Sequence, residues 1–438
     1  MTVYEPEYGP SGTSSGNQIV IDSRDLRPIR AELTSLGIEV TSTDQIPELS
    51  VVMITLADLG KAASLAEAVG VRKVVARRTG RVVPSNLDVL TTMLRRSFKD
   101  LYDREPRMGK NRDMEVVGGL PHWAAATLPE PIEPTRDQFP LLPRTQGMDE
   151  RVKVGVLDTA MYANQDLVDR YHSDDVVPDQ QPRPTWAGHA TFLVGRILLR
   201  APDADIEVRQ VLGGEYGTAT AWELARAMAS FLGSGVQVLN LSLGCFTVDD
   251  EPPFLLARAV ERLSAEMLVV AAAGNHGQKS YPMPALDENG KPLWRPEPLS
   301  PSSPMWPAAL DGVVSVGAAN VRRYDGGVTM SPADFTPVNV PWIELWAPGV
   351  DVISTYLDGD VTAQTWTWKD DGSISPPEKF ERKFAGFARW SGTSMSAADV
   401  TGEIAEVAKG DIGVREAYRR ISARRGGPDE PFDVRPWI

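Results

Sequence analysis

Apolar and polar positions alternate in short, regular blocks over the first part of the chain. The run from Gln18 to Ile21 has strand character, and apolar residues at helical spacing from Leu26 to Leu36 predict a helix that Gly37 ends. Further blocks complete a β-α-β-β-α-β order, which is typical of a small ferredoxin-like sandwich. The predicted strands are 18–21, 38–40, 51–54 and 71–76, and the predicted helices are 26–36 and 57–69.

Another helical stripe follows this block, with Ser85 as its N-cap. We interpret the stripe as a face that packs against a neighbouring domain. Residues 105–147 carry seven prolines and little periodicity, which favours a linker or an extended surface segment. The stripe consists of Leu87, Leu90, Leu94, Phe98 and Leu101.

From Arg151 onwards, buried-looking strands alternate with helices. Continuous apolar strands separated by helices predict a parallel α/β sheet covered on both faces. Chemistry in such sheets collects at the carboxyl ends of the strands. The predicted strands are 152–157, 206–211, 236–241, 268–272 and 313–316, and the helices lie near 189–200, 219–232 and 254–265.

These patterns divide the chain into five parts. A flexible tail (1–17) precedes an α+β domain (18–104) that is prodomain-like or regulatory, and a Pro-rich linker (105–147) follows. An α/β domain (148–410) and a C-terminal extension (411–438) complete the chain.

Composition narrows the class of protein. A net charge of -14 argues against nucleic acid or an anionic membrane as a partner, because both call for a basic surface. The N-terminus is polar, no stretch is apolar enough to span a bilayer, and Cys245 is the single cysteine of the sequence. We therefore expect a cytoplasmic protein without an internal disulfide.

Four polar residues stand at the ends of predicted strands or the starts of predicted helices. Asp158 ends a strand, His189 opens a helix, Asn275 follows a buried strand, and Ser394 begins a helix after a Ser-Gly-Thr turn. Each one alone is more often a structural residue. Together they supply an orienting carboxylate, a base, an amide donor and a nucleophile, the set that acyl transfer needs.

The surrounding motifs resemble those of the subtilisin-like serine proteases, the subtilases. The resemblance runs from about Arg151 to Lys409 and is carried by four segments in the family's order. It implies that Asp158 orients His189, that His189 takes the proton of Ser394, and that Asn275 helps to bind the oxyanion. The segments are Val156-Leu157-Asp158-Thr159, Gly188-His189-Ala190-Thr191, Ala273-Gly274-Asn275 and Gly392-Thr393-Ser394-Met395-Ser396.

The same resemblance implies where a protein or peptide substrate binds. One strand, containing Ser242, Leu243 and Gly244, would pair with the substrate backbone. Small residues in the wall of the first specificity pocket leave space for a bulky apolar side chain. These wall residues are Ala272, Ala273 and Gly274.

Some positions depart from the family pattern. Ala160 and Ala190 stand where glycines are usual, and Phe192 replaces a second histidine. Ala398 and Asp399, on the predicted nucleophile helix, replace Pro and His. None of these changes removes a catalytic group, so the sequence predicts an active serine endopeptidase.

Two alternatives remain for the function of the whole chain. The same triad serves a peptide ligase or macrocyclase, because the partition of an acyl-enzyme between water and an amine is not encoded in it. A non-catalytic peptide-binding scaffold is the alternative from another class, although a scaffold needs none of the four residues.

The N-terminal domain and two long insertions bear on regulation. The domain resembles the inhibitory propeptide of many subtilases, so the enzyme is expected to be autoprocessed or held inactive as a zymogen; a permanent regulatory domain is the competing interpretation. Residues 278–304 and 357–388 are expected to border the cleft as a lid or a partner-recognition rim, with a surface loop without function as the competing interpretation. A protein partner that activates the chain fits this arrangement.

No metal or cofactor is assigned. Many subtilases bind calcium, but the sequence has no dense carboxylate loop that calls for it. His122, His172 and His276 lack metal-ligand spacing, and Cys245 is expected to be a small buried packing residue.

Overall fold

The computed structural model describes residues 17–57, 59–60, 86–116, 126–146, 150–173, 183–213, 217–247, 251–277, 300–324, 327–365 and 378–423. The predicted strand 71–76, all but the start of the predicted helix 57–69, and most of the stretch 278–304 lie outside these residues.

The N-terminal unit is an antiparallel sheet covered by two helices. Its strands lie in the order β2-β3-β1-β4, and apolar side chains from β1, β3 and both helices share one core. The strands are β1 (Gln18–Asp22), β2 (Val40–Ile46), β3 (Val51–Leu56) and β4 (Met108–Lys110), and the helices are α1 (Leu26–Ser35) and α2 (Asn86–Tyr102).

Two expectations for this unit need correction. The stripe on α2 packs into the core of its own unit and not against a neighbouring domain, and Leu101 at its end is 69% exposed. The edge strand β4 lies within the segment expected to be a linker. The first error arises because an amphipathic stripe shows that a face is buried but not which surface buries it. The second arises because a three-residue edge strand is too short to show a pattern.

A sheet of eight strands forms the centre of the α/β unit. Its path is β16-β15-β14-β12-β7-β10-β8, with β17 also paired to β15; β16 runs antiparallel to β15, and the other pairings are parallel. The strands are β7 (Lys153–Asp158), β8 (Tyr171–Ser173), β10 (Asp205–Gln210), β12 (Val238–Leu241), β14 (Leu268–Ala272), β15 (Val313–Tyr324), β16 (Gly327–Pro332) and β17 (Leu345–Pro348).

Helices cover both faces of this sheet. Each face of the sheet has its own hydrophobic cluster, and successive residues of one strand point into different clusters. Leu157 of β7 lies in the first cluster, and Val156 lies in the second. This is why the central strands have continuous apolar sequences. Helix α7, in the segment expected to be an extension, packs its apolar face into the second cluster. The helices are α3 (His189–Arg200), α4 (Ala221–Ala229), α5 (Phe254–Leu263), α6 (Thr393–Val407) and α7 (Val414–Ser422).

Two smaller sheets border the ends of the parallel strands. The first has the order β11-β5-β13. The second has the order β6-β19-β18-β9, and its central hairpin contains most of the insertion 357–388. The strands are β5 (Asp113–Val116), β6 (Glu130–Pro131), β9 (Arg183–Pro184), β11 (Thr218–Thr220), β13 (Leu243–Gly244), β18 (Val352–Thr365) and β19 (Glu378–Trp390).

Within the described residues, no helix combines the length and the apolar character needed to cross a bilayer.

Candidate active site

Asp158 and His189 meet at the carboxyl end of the parallel sheet. Asp158 is the last residue of β7, and His189 is the first residue of α3. The Asp158 carboxylate accepts a hydrogen bond of 2.7 Å from His189 Nδ1 and another of 2.7 Å from the Thr159 backbone N–H. Both side chains are fully buried. The carboxylate therefore holds the imidazole with its Nε2 atom directed away from Asp158, which is the arrangement that a general base needs.

Ser394 lies in the first turn of α6, where backbone N–H groups have no partner within the helix. Asn275 contacts the same turn: its Oδ1 accepts from the Thr393 backbone N–H at 2.9 Å and from the Thr393 hydroxyl at 3.1 Å. The NH₂ group of Asn275 is thus on the side of the amide that faces away from Thr393. The Ser242 hydroxyl donates to the Ser394 carbonyl at 3.2 Å.

A hydrogen bond between Ser394 and His189 is not formed in this structure. Ser394 Oγ, His189 Nε2 and Asp158 Oδ2 are each buried without a hydrogen-bond partner among the described residues. The structure brings Asp158 to His189, and Asn275 and Ser242 to the nucleophile turn. Ser394 Oγ and His189 Nε2, which would exchange the proton, are therefore both without a hydrogen-bond partner within the described part of the chain.

Aromatic packing surrounds the imidazole. Trp390, the last residue of β19, packs edge-on against His189 with ring centroids 5.6 Å apart, and it packs in the same way against Phe192. Phe192, which replaces the family's second histidine, lies one turn after His189 on α3. It therefore forms an apolar wall together with Trp390. The role of Trp390 was not evident from sequence, because its neighbour in space lies about two hundred positions earlier in the chain.

The strand expected to pair with a substrate is paired with the chain itself. β13 is antiparallel to β5, with Leu243 opposite Val116 and Gly244 opposite Glu115. On the other side of the nucleophile turn, Ala126 N–H donates to the Ser391 carbonyl at 3.0 Å. Chain segments from the N-terminal side of the protein thus lie on both sides of the Ser394 turn.

The wall residues Ala272 and Ala273 are fully buried, and the Gly274 N–H donates to the Thr393 hydroxyl at 3.1 Å. Met305 lies against this wall. A β-carbon built on Gly244 would be 2.8 Å from Met305 Cε, and one built on Gly274 would be 3.5 Å from Met305 Cβ. Met305 is 1% exposed, so its side chain occupies space beside both glycines. The expectation of an open pocket for a bulky side chain took no account of this residue.

Cys245 and His276, two residues that the sequence analysis considered as site residues and did not assign, are both buried. Cys245 is 7% exposed and lies in the core, consistent with packing. His276 donates through Nε2 to the Ser303 carbonyl at 2.8 Å, and burial lowers its pKa to about 4 despite that bond. His172 is largely exposed near Asp205, and His122 lies outside the described residues. Over the described part of the chain, no cluster of three or more His, Cys, Asp or Glu side chains has the arrangement of a metal site.

Comparisons with known proteins identify the family. The model of the subtilase family (peptidase S8) matches residues 149–413, more than half of the chain. The major intracellular serine protease of Bacillus subtilis (strain 168) is 26% identical over 271 residues, which cover 58% of this chain and 68% of the relative. Subtilisin BL of Lederbergia lenta is 30% identical over 215 residues, covering 47% and 66%.

The solved structures support the fold. Fervidolysin from Fervidobacterium pennivorans, described as a keratinolytic enzyme related to subtilisin, matches with a TM-score of 0.54 and 16% identity. The match covers 95% of this chain and 59% of fervidolysin, so the chain spans well under two thirds of that neighbour's length. At this identity the similarity establishes the fold only. The family model and the curated relatives go further, and the chain belongs to the subtilase family, the subtilisin-like serine endopeptidases.

Proposed function

We propose that the chain hydrolyses peptide bonds through an acyl-enzyme on Ser394. The observation that carries this proposal is the 2.7 Å hydrogen bond between the buried Asp158 and His189 side chains at the sheet edge. A carboxylate in this position orients the imidazole and stabilises the imidazolium that forms during proton transfer. A buried Asp–His pair with no reacting partner would only cost desolvation free energy.

The steps follow from the positions of the groups. Ser394 Oγ attacks the scissile carbonyl while its proton passes to His189 Nε2. The oxyanion accepts from the Asn275 NH₂ group and the Ser394 backbone N–H. The imidazolium then protonates the leaving amine, and water attacks the ester with His189 again as base, which regenerates the Ser394 hydroxyl. This mechanism requires Ser394 Oγ and His189 Nε2 to come within hydrogen-bond distance, and geometry before substrate binding is often looser than that.

The N-terminal unit is proposed to hold the enzyme inactive. The β5–β13 pairing occupies the edge that an extended substrate would use, because backbone pairing with an exposed strand is how such peptides bind. Contacts just before the Ser394 turn support the same view: Trp390 Nε1 donates to the Thr127 carbonyl at 2.7 Å, and β6 pairs with β19. A substrate has to displace these segments before it reaches Ser394.

Contacts remote from the cleft secure the N-terminal unit on two helices. Asn111 Oδ1 accepts from the Trp222 backbone N–H at the start of α4, which satisfies a helix-terminal donor. Asp44 accepts from Trp222 Nε1 at 2.9 Å. Asp22, 1% exposed, pairs with Arg258 of α5. Apolar residues of the unit, Val20, Leu49 and Val51 among them, also pack in one buried core with residues of α4 and α5. Release of the unit therefore needs a trigger, which we propose is self-cleavage or an activating protein partner.

The position of Met305 supports a substrate preference. Because this side chain lies against Gly244 and Gly274, we propose that the residue before the scissile bond is small. A cytoplasmic location is also proposed, supported by the intracellular protease among the relatives; cell fractionation tests it.

Intact-mass measurement with a fluorophosphonate probe tests the catalytic proposal. Wild type should gain one adduct, and Ser394→Ala none. Ser396→Ala is the matched control, because its hydroxyl bonds the Ala347 and Pro348 carbonyls two residues along the same helix and should not affect labelling. The same spectra show whether wild type alone loses its N-terminal unit. A folded wild type that takes no adduct, even after proteolytic removal of that unit, would support the scaffold alternative.

A further inference from the structure

We propose that Asp399, Arg196 and Arg200 form an ionic clamp that positions the helix of Ser394 against the helix of His189. The inference rests on the proposed function. Asp399 lies five residues after Ser394 on α6, and Arg196 lies seven residues after His189 on α3. At 1.5 Å per helical residue, Asp399 lies about 7.5 Å along the helix axis from Ser394, and Arg196 lies about 10.5 Å along it from His189.

The geometry of the clamp is specific. Arg196 binds Asp399 with both arms of its guanidinium group, Nε to Oδ1 at 2.7 Å and Nη2 to Oδ2 at 2.6 Å. Arg200 adds one bond from Nη2 to Oδ2 at 2.8 Å. Such two-point contacts fix orientation as well as distance, which a single ammonium–carboxylate contact does not.

The clamp also reaches the hairpin beside the site. Arg196 Nη1 donates to the Ile353 carbonyl on β18 at 3.0 Å. Ser354 and Thr355, the next residues of β18, donate their hydroxyls to the Phe192 and Thr191 carbonyls of α3. The first turns of α3 are therefore held from the hairpin side as well as from α6.

All three clamp side chains are buried, so the arrangement is costly to make. Asp399 is 1% exposed, and the Arg196 and Arg200 side chains are 8% and 5% exposed. Burial raises the pKa of Asp399, but the two guanidinium groups lower it more, and its pKa stays below the ordinary value. Arg200 Nε and Nη1 have no hydrogen-bond partner among the described residues.

Stability alone is a poor explanation for such a cluster. Buried ion pairs are often replaced by apolar residues without loss of stability, because desolvation offsets much of the Coulomb attraction. Apolar residues of both helices, including Leu193, Ile197 and Ile404, already pack in the same core. What the clamp adds is a defined register between two helices whose first residues must react with each other. This also gives a role to Asp399, which departs from the family pattern.

The test compares reactivity with stability in the full-length chain. The rate constant for fluorophosphonate labelling, kcat and KM for a peptide substrate, and Tm are measured for Asp399→Asn, Arg196→Lys and Arg200→Lys. Assays run at one temperature well below every Tm. We expect Asp399→Asn to lower kcat and the labelling constant about 10- to 100-fold with KM within about twofold, because small misplacements of reacting groups have effects of this size. Arg196→Lys should lower kcat more than Arg200→Lys, because only Arg196 makes the two-point contact.

Two further variants separate positioning from folding. In the triple variant Arg196→Met, Asp399→Leu, Arg200→Met, apolar contacts replace the clamp; Tm should recover and kcat should stay low. Asp203→Asn is the matched control, since Asp203 is a buried carboxylate paired with Lys409 at 2.9 Å outside the α3–α6 contact. It should lower Tm without lowering kcat.

Three results would overturn the clamp: recovery of kcat together with Tm in the triple variant, wild-type labelling by folded Asp399→Asn, or equal losses of kcat in Asp399→Asn and Asp203→Asn. A wild type that shows no Ser394-dependent labelling even after proteolytic removal of the N-terminal unit would instead contradict the proposed function, so the two failures are distinguishable.

Discussion

At the residue scale, the candidate site at the sheet edge consists of a few buried polar side chains. Asp158, His189, Asn275 and Ser394 were identified from sequence because each stands in a short motif at an element boundary. Their burial and the Asp158–His189 bond come from the structure. Met305 and Trp390 carry no motif, and only their neighbours in space give them a role.

His276 should make stability depend on pH. Its pKa in the folded state is about 4, against an ordinary value of 6.5, mainly because burial disfavours the charged ring. Between these two values the unfolded chain binds more protons, so the free energy of unfolding falls as pH drops from 6.5 towards 4, by roughly 3 kcal/mol in total. Below that window this contribution is constant.

His276→Gln tests this assignment, because glutamine can still donate to the Ser303 carbonyl but does not titrate. Urea unfolding at a series of pH values should give a shallower pH dependence for the variant than for wild type across that window. Equal slopes for the two proteins would show that His276 is not the group responsible.

Met305→Ala should broaden specificity. Removing the side chain beside Gly244 and Gly274 opens space in the pocket. The ratio of kcat/KM for peptides with Phe or Leu before the scissile bond to that for peptides with Ala there should rise at least tenfold. This is within the range of about 1–3 kcal/mol that a pocket contact typically contributes. Met267→Ala removes an equally buried methionine that lies before β14, and serves as the packing control. A change in Met267→Ala as large as in Met305→Ala would contradict the assignment.

At the element scale, hydrophobic periodicity predicts where elements lie better than it predicts what they pack against. Periodicity predicted the bounds of α3 correctly and those of β7 and β14 within one residue. The same periodicity did not predict that α2 packs within its own unit. It also did not predict β4, a strand of only three residues that follows Pro106. Short edge strands have too few residues for a pattern, and their pairing depends on partners far along the chain.

Gly402→Ala should destabilise the protein although alanine is the better helix former. A β-carbon at this position of α6 would lie 2.7 Å from Arg200 Cβ and 2.7 Å from the Ile197 carbonyl oxygen, and neither is the end of a flexible side chain. Overpacking of this kind costs about 1–3 kcal/mol and outweighs a propensity gain of about 1 kcal/mol.

The free energy of unfolding from guanidinium titration measures the effect. Gly413→Ala is the control, because a β-carbon there meets nothing within 4 Å and the backbone φ is -73°. Alanine is a poorer N-cap than glycine, so this change should cost less than about 1 kcal/mol and stay below the Gly402→Ala loss. A Gly402→Ala protein as stable as wild type would show that α3 and α6 can separate without cost.

At the scale of the whole molecule, the N-terminal unit meets the α/β unit through apolar packing and ion pairs, and β5, which follows the unit, pairs with β13. The proposed inhibition couples release of the N-terminal unit to access to Ser394. Weakening the interface far from the cleft should therefore increase reactivity at the cleft.

Arg258→Gln should speed fluorophosphonate labelling of the full-length chain about tenfold or more. The change leaves Asp22 without its partner across the interface, and breaking a buried pair of this kind is costly in the docked state only. Arg24→Gln is the matched control, since Arg24 pairs with the same carboxylate from within the N-terminal unit and is 69% exposed. Equal labelling rates for Arg258→Gln and wild type would argue against inhibition by docking.

The sequence by itself predicted most elements of the parallel sheet and named four candidate catalytic residues, because periodicity and short motifs are local properties of a chain. Only the tertiary structure decided that β5 lies on β13, that Met305 lies against Gly244 and Gly274, and that Asp399 binds Arg196. The members of these contacts are separated by about thirty to two hundred positions along the chain. No local pattern records such pairs, since they arise when separately formed elements pack, and packing chooses partners by shape and charge across the whole molecule.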